Sequence, residues 1–140
     1  MYAQFQTRQP TMNRLLDSLP NEDYRRLEPF LEKVSLPLGH LLYKPEEAIN
    51  YVYFPITAMA SVIATTIDGQ SAEVGVIGCE GIIGVEVLMG VDSSAKEVLI
   101  QLSDSAWQIK TEEIRKEFKQ GGALQDLSLR FIHCFIEQIS

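Results

Sequence analysis

Two histidines, two cysteines and a regular run of glycines are the residues here whose types most often do chemistry. A histidine-rich metal centre needs several imidazoles and a carboxylate converging on one ion. His40 falls near the start of a strand and His133 on the last helix, so the pair does not make one. Cys79 and Cys134 are too few for a four-thiolate iron–sulfur cluster, and their spacing frames no disulfide scaffold. They read as free thiols of a reducing compartment. His133-Cys134 invites a base and nucleophile, yet neighbours on a helix point about 100° apart. The glycines Gly75, Gly78, Gly81 and Gly84 suggest a phosphate cradle, but neither a GxGxxG pattern nor a following Lys-Ser/Thr accompanies them. They read instead as permitting tight turns and close approach between strands. Trp107, Tyr51, Tyr53 and Phe54 have the chemistry to stack a base, but alternating aromatics on strands usually form core. No acid, base and nucleophile converge, so the chain reads as no enzyme, with no metal and no cofactor.

Charge narrows the partners. The 140 residues carry a formal net charge of −7, against the basic face that phosphate neutralisation requires. Residues 45–109 hold nine acids (Glu46, Glu47, Asp68, Glu73, Glu80, Glu86, Asp92, Glu97 and Asp104) and one base, Lys96. Apolar stretches such as Val87-Leu88-Met89 fall far below the roughly 18 residues of a membrane span. Residues 1–10 are polar and lack the apolar run of a secretory signal, so a cytoplasmic location without membrane partners is expected.

The elements that must position these residues are mainly strands. With 46% hydrophobic and 22% charged residues, the chain suits one compact domain. Thr11 is expected to cap a short helix carrying Leu15, Leu16 and Leu19, and Asn21 to cap a second that Pro29 limits. Short runs follow at 34–36, 41–43, 51–54, 60–66, 73–77, 97–102 and 106–109, rich in β-branched and aromatic residues. Asp68-Gly69 predicts a tight hairpin turn between two of them. Many short strands at regular spacing mark a barrel or sandwich. Thr111 is expected to cap a helix stopped by Gly121-Gly122, and a last helix begins near Ala123.

That last helix carries two apolar stripes. Leu129, Ile132, Ile136 and Ile139 form one, and Leu124, Leu127, Phe131 and Phe135 the other. One stripe suffices to pack a helix on its own barrel, so the first is a candidate dimer seam across a two-fold axis. The alternative is a helix wholly buried within one domain. The apolar pattern still runs at Ser140, which reads as a chain that continues.

Taken in order, these segments resemble the effector domain of the Crp/Fnr family of bacterial regulators. The likeness covers residues 12–140. It rests on Leu19-Pro20, Asp23-Tyr24, Leu27, Leu36-Pro37-Leu38-Gly39, Leu42-Tyr43, Tyr53-Phe54-Pro55, Asp68-Gly69 and Val74-Gly75-Val76-Ile77-Gly78-Cys79-Glu80-Gly81-Ile82-Ile83-Gly84. It implies a mainly β fold with flanking helices, a jelly-roll-like β-roll of the cyclic-nucleotide-binding type. Residues 1–32 would be N-terminal helices, 33–110 the roll, and 111–140 C-terminal helices that include the start of a dimerisation helix. It also implies a homodimer and a C-terminal DNA-reading domain, which this chain lacks.

In members that bind cyclic AMP, a phosphate cassette begins at a glycine like Gly84, with a glutamate for the ribose and an Arg-Ser pair for the cyclic phosphate. Here the glutamate position falls on Val85, with Glu86 one place off, and the Arg-Ser pair falls near Ser94-Ala95. Between Arg26 and Arg115 there is no arginine, and Lys96 is the only base near the cassette. A buried cyclic phosphate wants a bidentate guanidinium, so cyclic nucleotide is not the expected ligand. The pocket is either collapsed or holds a less charged effector. A stand-alone roll that docks a partner protein through the last helix is the rival reading.

Overall fold

The computed structural model describes residues 8–139, so expectations on residues 1–7 and Ser140 lie outside the described residues. Two short helices, α1 (Arg14–Asp17) and α2 (Asn21–Leu27), lead into a 3-10 turn at Glu28–Phe30, where Pro29 ends the helical run as expected. The roll follows, starting at Glu32. Among the described residues one sheet orders β1 (Glu32–Leu36), β7 (Asp104–Lys110) and β3 (Tyr51–Pro55). The other orders β2 (Leu41–Tyr43), β6 (Glu97–Leu102), β4 (Met59–Thr65) and β5 (Ser71–Ile77). Every strand pairing is antiparallel. Two helices close the chain, α3 (Thr111–Lys119) and α4 (Ala123–Ile139). None of the described helices is long and apolar enough to cross a membrane.

Strand alternation builds the core. Val52 and Phe54 of β3, Ala60 and Val62 of β4, and Val98 and Ile100 of β6 are buried, two residues apart on each strand. Ile82, Ile83, Ile109, Ile114 and Leu124 complete the same cluster.

Three capping expectations are corrected. Asn13, not Thr11, caps α1, its side chain accepting from the Leu16 N–H while its amide nitrogen donates to the carbonyls of Pro55 and Gly81. Thr11 is drawn off to the Asp17 carboxylate, and Leu19 lies just past α1, which ends at Asp17. Asn21 is the first residue of α2, with Pro20 before it. Thr111 likewise opens α3 from inside, and its hydroxyl donates to the Ile49 carbonyl, tying the helix to the loop before β3. The hairpin at Asp68-Gly69 is present but one residue longer than a two-residue turn. Gly69 alone takes a positive φ, +87°, with its N–H on the Thr66 carbonyl and the Thr66 N–H on the Gln70 carbonyl.

Arg26 of α2 grips Glu117 of α3 through Nε and Nη2, at 2.9 to 3.1 Å. The Glu117 carboxylate is buried, so this ion pair fixes both helices against one end of the roll. Gly121, at φ +74°, ends α3 as expected and turns the chain into α4.

The packing of α4 explains two of the glycines. A Cβ on Gly81 would stand 2.2 Å from the Phe131 ring, and one on Gly75 would stand 2.8 Å from Phe135 and Ile139. These glycines admit a helix rather than a neighbouring strand, which corrects the expectation. Phe131 and Phe135 stack on each other with centroids 5.9 Å apart. The four residues of the expected dimer seam divide between two faces of the helix. Each step of three residues turns about 60° back around a helix, so Ile132 is buried against the roll and Ile139 rests over Gly75. Leu129 and Ile136 are 49% and 51% exposed, and Ile136 also borders a cavity between α4 and the roll.

Candidate functional site

Where β5 ends, the chain turns through Gly78–Gly81 hydrogen bonding and runs Ile82 and Ile83 into the core. Ile83 exchanges both backbone hydrogen bonds with Tyr53, at 2.8 and 3.0 Å, and so fixes where the next residue begins. That residue is Gly84. Its φ of +102° suits glycine, and a Cβ there would stand 2.6 Å from the Tyr43 hydroxyl. A 3-10 turn, Val85–Met89, follows and is closed by Gly90 at φ +86°.

Tyr43 supports this turn from below. It is buried, and its hydroxyl donates to the Tyr51 carbonyl at 2.5 Å, with the Ile83 carbonyl at 3.4 Å. Burial pushes the Tyr43 hydroxyl well above the ordinary tyrosine range, and Tyr53 and the Glu86 carboxylate add to the rise. Arg115 of α3 holds the far end. Its Nε donates to the Val87 carbonyl at 2.8 Å, and Nη2 pairs with Asp92 at 2.9 Å. The strand β6 side is tied down by the Glu46 N–H on the Ser94 carbonyl and the Lys96 N–H on the Ser94 hydroxyl.

Between this turn and α4 lies a cavity of about 320 Å³. All six expected cassette positions line it: Gly84, Val85, Glu86, Ser94, Ala95 and Lys96. Its interior is formed by Val62, Ile83 and Val98 of the roll and by Ile132, Phe135 and Ile139 of α4. The α4 wall was missed by sequence reasoning, which gave Ile132 and Ile139 to a partner subunit. The signal for it was present in the glycines at 75 and 81, opposite the aromatics at 131 and 135.

Few of the acids that crowd this part of the sequence reach the cavity. Of the nine acids between residues 45 and 109, only Glu86 lines it. Asp92 is taken by Arg115, Glu80 accepts from the Gly78 N–H, and Glu73 accepts from the Ser61 hydroxyl. Lys96 is the only cation on the lining, and among the described residues no ion pair joins it to Glu86. The guanidinium nearest the cassette in the chain, Arg115, faces carbonyls and Asp92 and does not line the cavity.

The remaining expected chemistry stays dispersed. His133 stands 3.7 Å from Glu137 on the outer side of α4, and Cys79 and Cys134 are free thiols. Among the described residues no three metal-ligating side chains cluster. Phe54 is core, whereas Tyr51, Tyr53 and Trp107 are only partly buried, and the Trp107 indole donates to the Thr11 carbonyl. Two wider clefts, of about 560 and 600 Å³, flank the start of α3. In the first of them the Thr111 hydroxyl donates to the Ile49 carbonyl and Arg115 Nε to the Val87 carbonyl.

No family model matches the chain, and no curated protein matches it. Solved structures do. The Thermus thermophilus catabolite activator protein aligns with a TM-score of 0.72 at 10% identity, over 89% of this chain and 58% of that one. The regulatory subunit of a cAMP-independent protein kinase A from Trypanosoma brucei aligns at 0.71 and 17%, over 90% of this chain and 44% of that one. The sensor domain of the transcriptional regulator DNR from Pseudomonas aeruginosa aligns at 0.65 and 12%, over 89% and 81%. The chain thus spans about half the length of the first two. The fold is the cyclic-nucleotide-binding β-roll, with antiparallel sheets, flanking helices and a C-terminal helix.

Proposed function

We propose that this chain is the sensory and dimerisation domain of a cytoplasmic Crp/Fnr-type transcription regulator that does not respond to cyclic AMP. One observation carries the reading: a single cavity is walled by the cassette on one side and by α4 on the other. An occupant touching both walls alters how α4 seats on the roll. Since α4 is the last described element, whatever follows it inherits that change. In this reading the domain is a homodimer through the outer flank of α4, and DNA is read by a domain beyond residue 140.

The lining supports the insensitivity to cyclic AMP. Val85 falls where the resemblance would put the ribose-binding glutamate, no arginine of the described residues lines the cavity, and the lining carries Glu86 as well as Lys96. Several neighbours in fold are regulatory proteins, one of them described as a cAMP-independent kinase subunit. Titration calorimetry with cyclic AMP and cyclic GMP is expected to give no heat of binding, and micromolar affinity for either would overturn this part. The transcription reading is tested by the intact mass of the native protein. A mass well above 15.8 kDa, with a basic helix-turn-helix sequence in the excess, supports it. A native mass of 15.8 kDa removes it in favour of a stand-alone module that docks a partner protein.

A further inference from the structure

Resting on the reading of the cassette cavity as the effector site, we infer that it binds a small, uncharged, mainly apolar molecule with one hydrogen-bonding end. Size, lining and charge all bear on this. A volume of about 320 Å³ is at the lower end of the range for small-molecule sites, roughly 300–1,000 Å³. The walls within are side chains of Val, Ile and Phe from both the roll and α4, so the body of an occupant meets no polar partner there.

The polar side chains of the lining are Glu86, Ser93, Ser94 and Lys96, all from the segment between Gly84 and β6. Glu86 and Lys96 supply one charge of each sign, with Ser94 on the same lining. An anion would gain Lys96 but face Glu86, and a cation the reverse, while either would be desolvated against the apolar walls. A neutral hydroxyl, amide or ring nitrogen avoids that cost. It can donate to the Glu86 carboxylate or accept from the Lys96 ammonium, whose formal charges cancel.

The test uses the uncharged fluorophore N-phenyl-1-naphthylamine, whose emission rises in apolar surroundings, titrated into the full 140-residue chain. One saturable site per chain with micromolar affinity is expected. Ala95→Phe fills the mouth from an exposed position and is expected to weaken binding about tenfold or more. Met89→Trp, on another exposed part of the lining, is a second blocking variant that leaves the core untouched. The neutral 1-naphthalenemethanol is expected to displace the probe at least about tenfold more effectively than 1-naphthoate. Equal displacement by the carboxylate overturns the uncharged class. Absence of a saturable site, or binding unchanged in both variants, overturns the inference that an apolar molecule binds in this cavity. Cyclic AMP binding by calorimetry instead overturns the underlying reading, whereas silence toward both cyclic AMP and the probe removes only this inference.

Discussion

Tyr43 and Arg115 do at the residue scale what the cassette sequence cannot do for itself. The turn from Gly84 to Gly90 is short, so its position is set by a phenol beneath it and a guanidinium at its far end. Tyr43 has a measurable signature. Its proton is held in the folded state above the ordinary value, so it stabilises the fold fully below about pH 10. As pH rises beyond that, the unfolded chain releases the proton first and stability falls. Tyr24 and Tyr53 are shifted the same way, each first by burial. Urea unfolding between pH 9 and 11 is expected to show a falling stability in the native chain, and Tyr43→Phe is expected to shallow that fall by about one proton. An identical slope in the variant would remove Tyr43 from this role. None of this was legible in the sequence, because Tyr43 meets Tyr51 and Ile83 only once the strands have paired. What sequence order does show is that Gly84, Val85, Glu86, Ser94, Ala95 and Lys96 fall within thirteen positions of one another, and all six line one cavity.

At the scale of elements, strands were easier to read than the faces of α4. Runs such as 51–54 and 97–100 alternate partly buried and fully buried positions, and a period of two is visible wherever one face is core. Helix faces were harder. The stripe of Leu129, Ile132, Ile136 and Ile139 is continuous in sequence yet straddles the edge between roll and solvent. What decides the orientation lies elsewhere in the chain, in two glycines that leave room for aromatic rings. Gly81→Ala places a methyl carbon where the Phe131 ring lies and is expected to cost about 1–3 kcal/mol of stability in urea unfolding. Combining it with Phe131→Leu is expected to recover part of that loss, because the smaller side chain vacates the space. Strict additivity of the two losses would count against the socket.

Taken whole, the molecule offers its neighbours an acidic surface and one apolar flank on α4. Proposed dimerisation rests on Leu129 and Ile136, the exposed members of the expected seam. Leu129→Glu and Ile136→Glu are each expected to sediment as monomers, since a carboxylate in a desolvated interface is strongly disfavoured. An unchanged dimer would move the interface elsewhere. The nesting of the roll has a consequence for how the chain is made. β1 lies at the edge of its sheet and, among the described strands, pairs only with β7, so Glu32 meets a Gln108 that lies 76 positions later in the chain. A ribosome adding about 5–20 residues per second leaves β1 without its neighbour for several seconds. During that interval it is an open strand edge, the kind that recruits other chains. Glu32 and Lys33, both exposed at its start, place opposite charges on that waiting edge, so the strand that waits longest for its partner during translation is also one that resists pairing with a stranger.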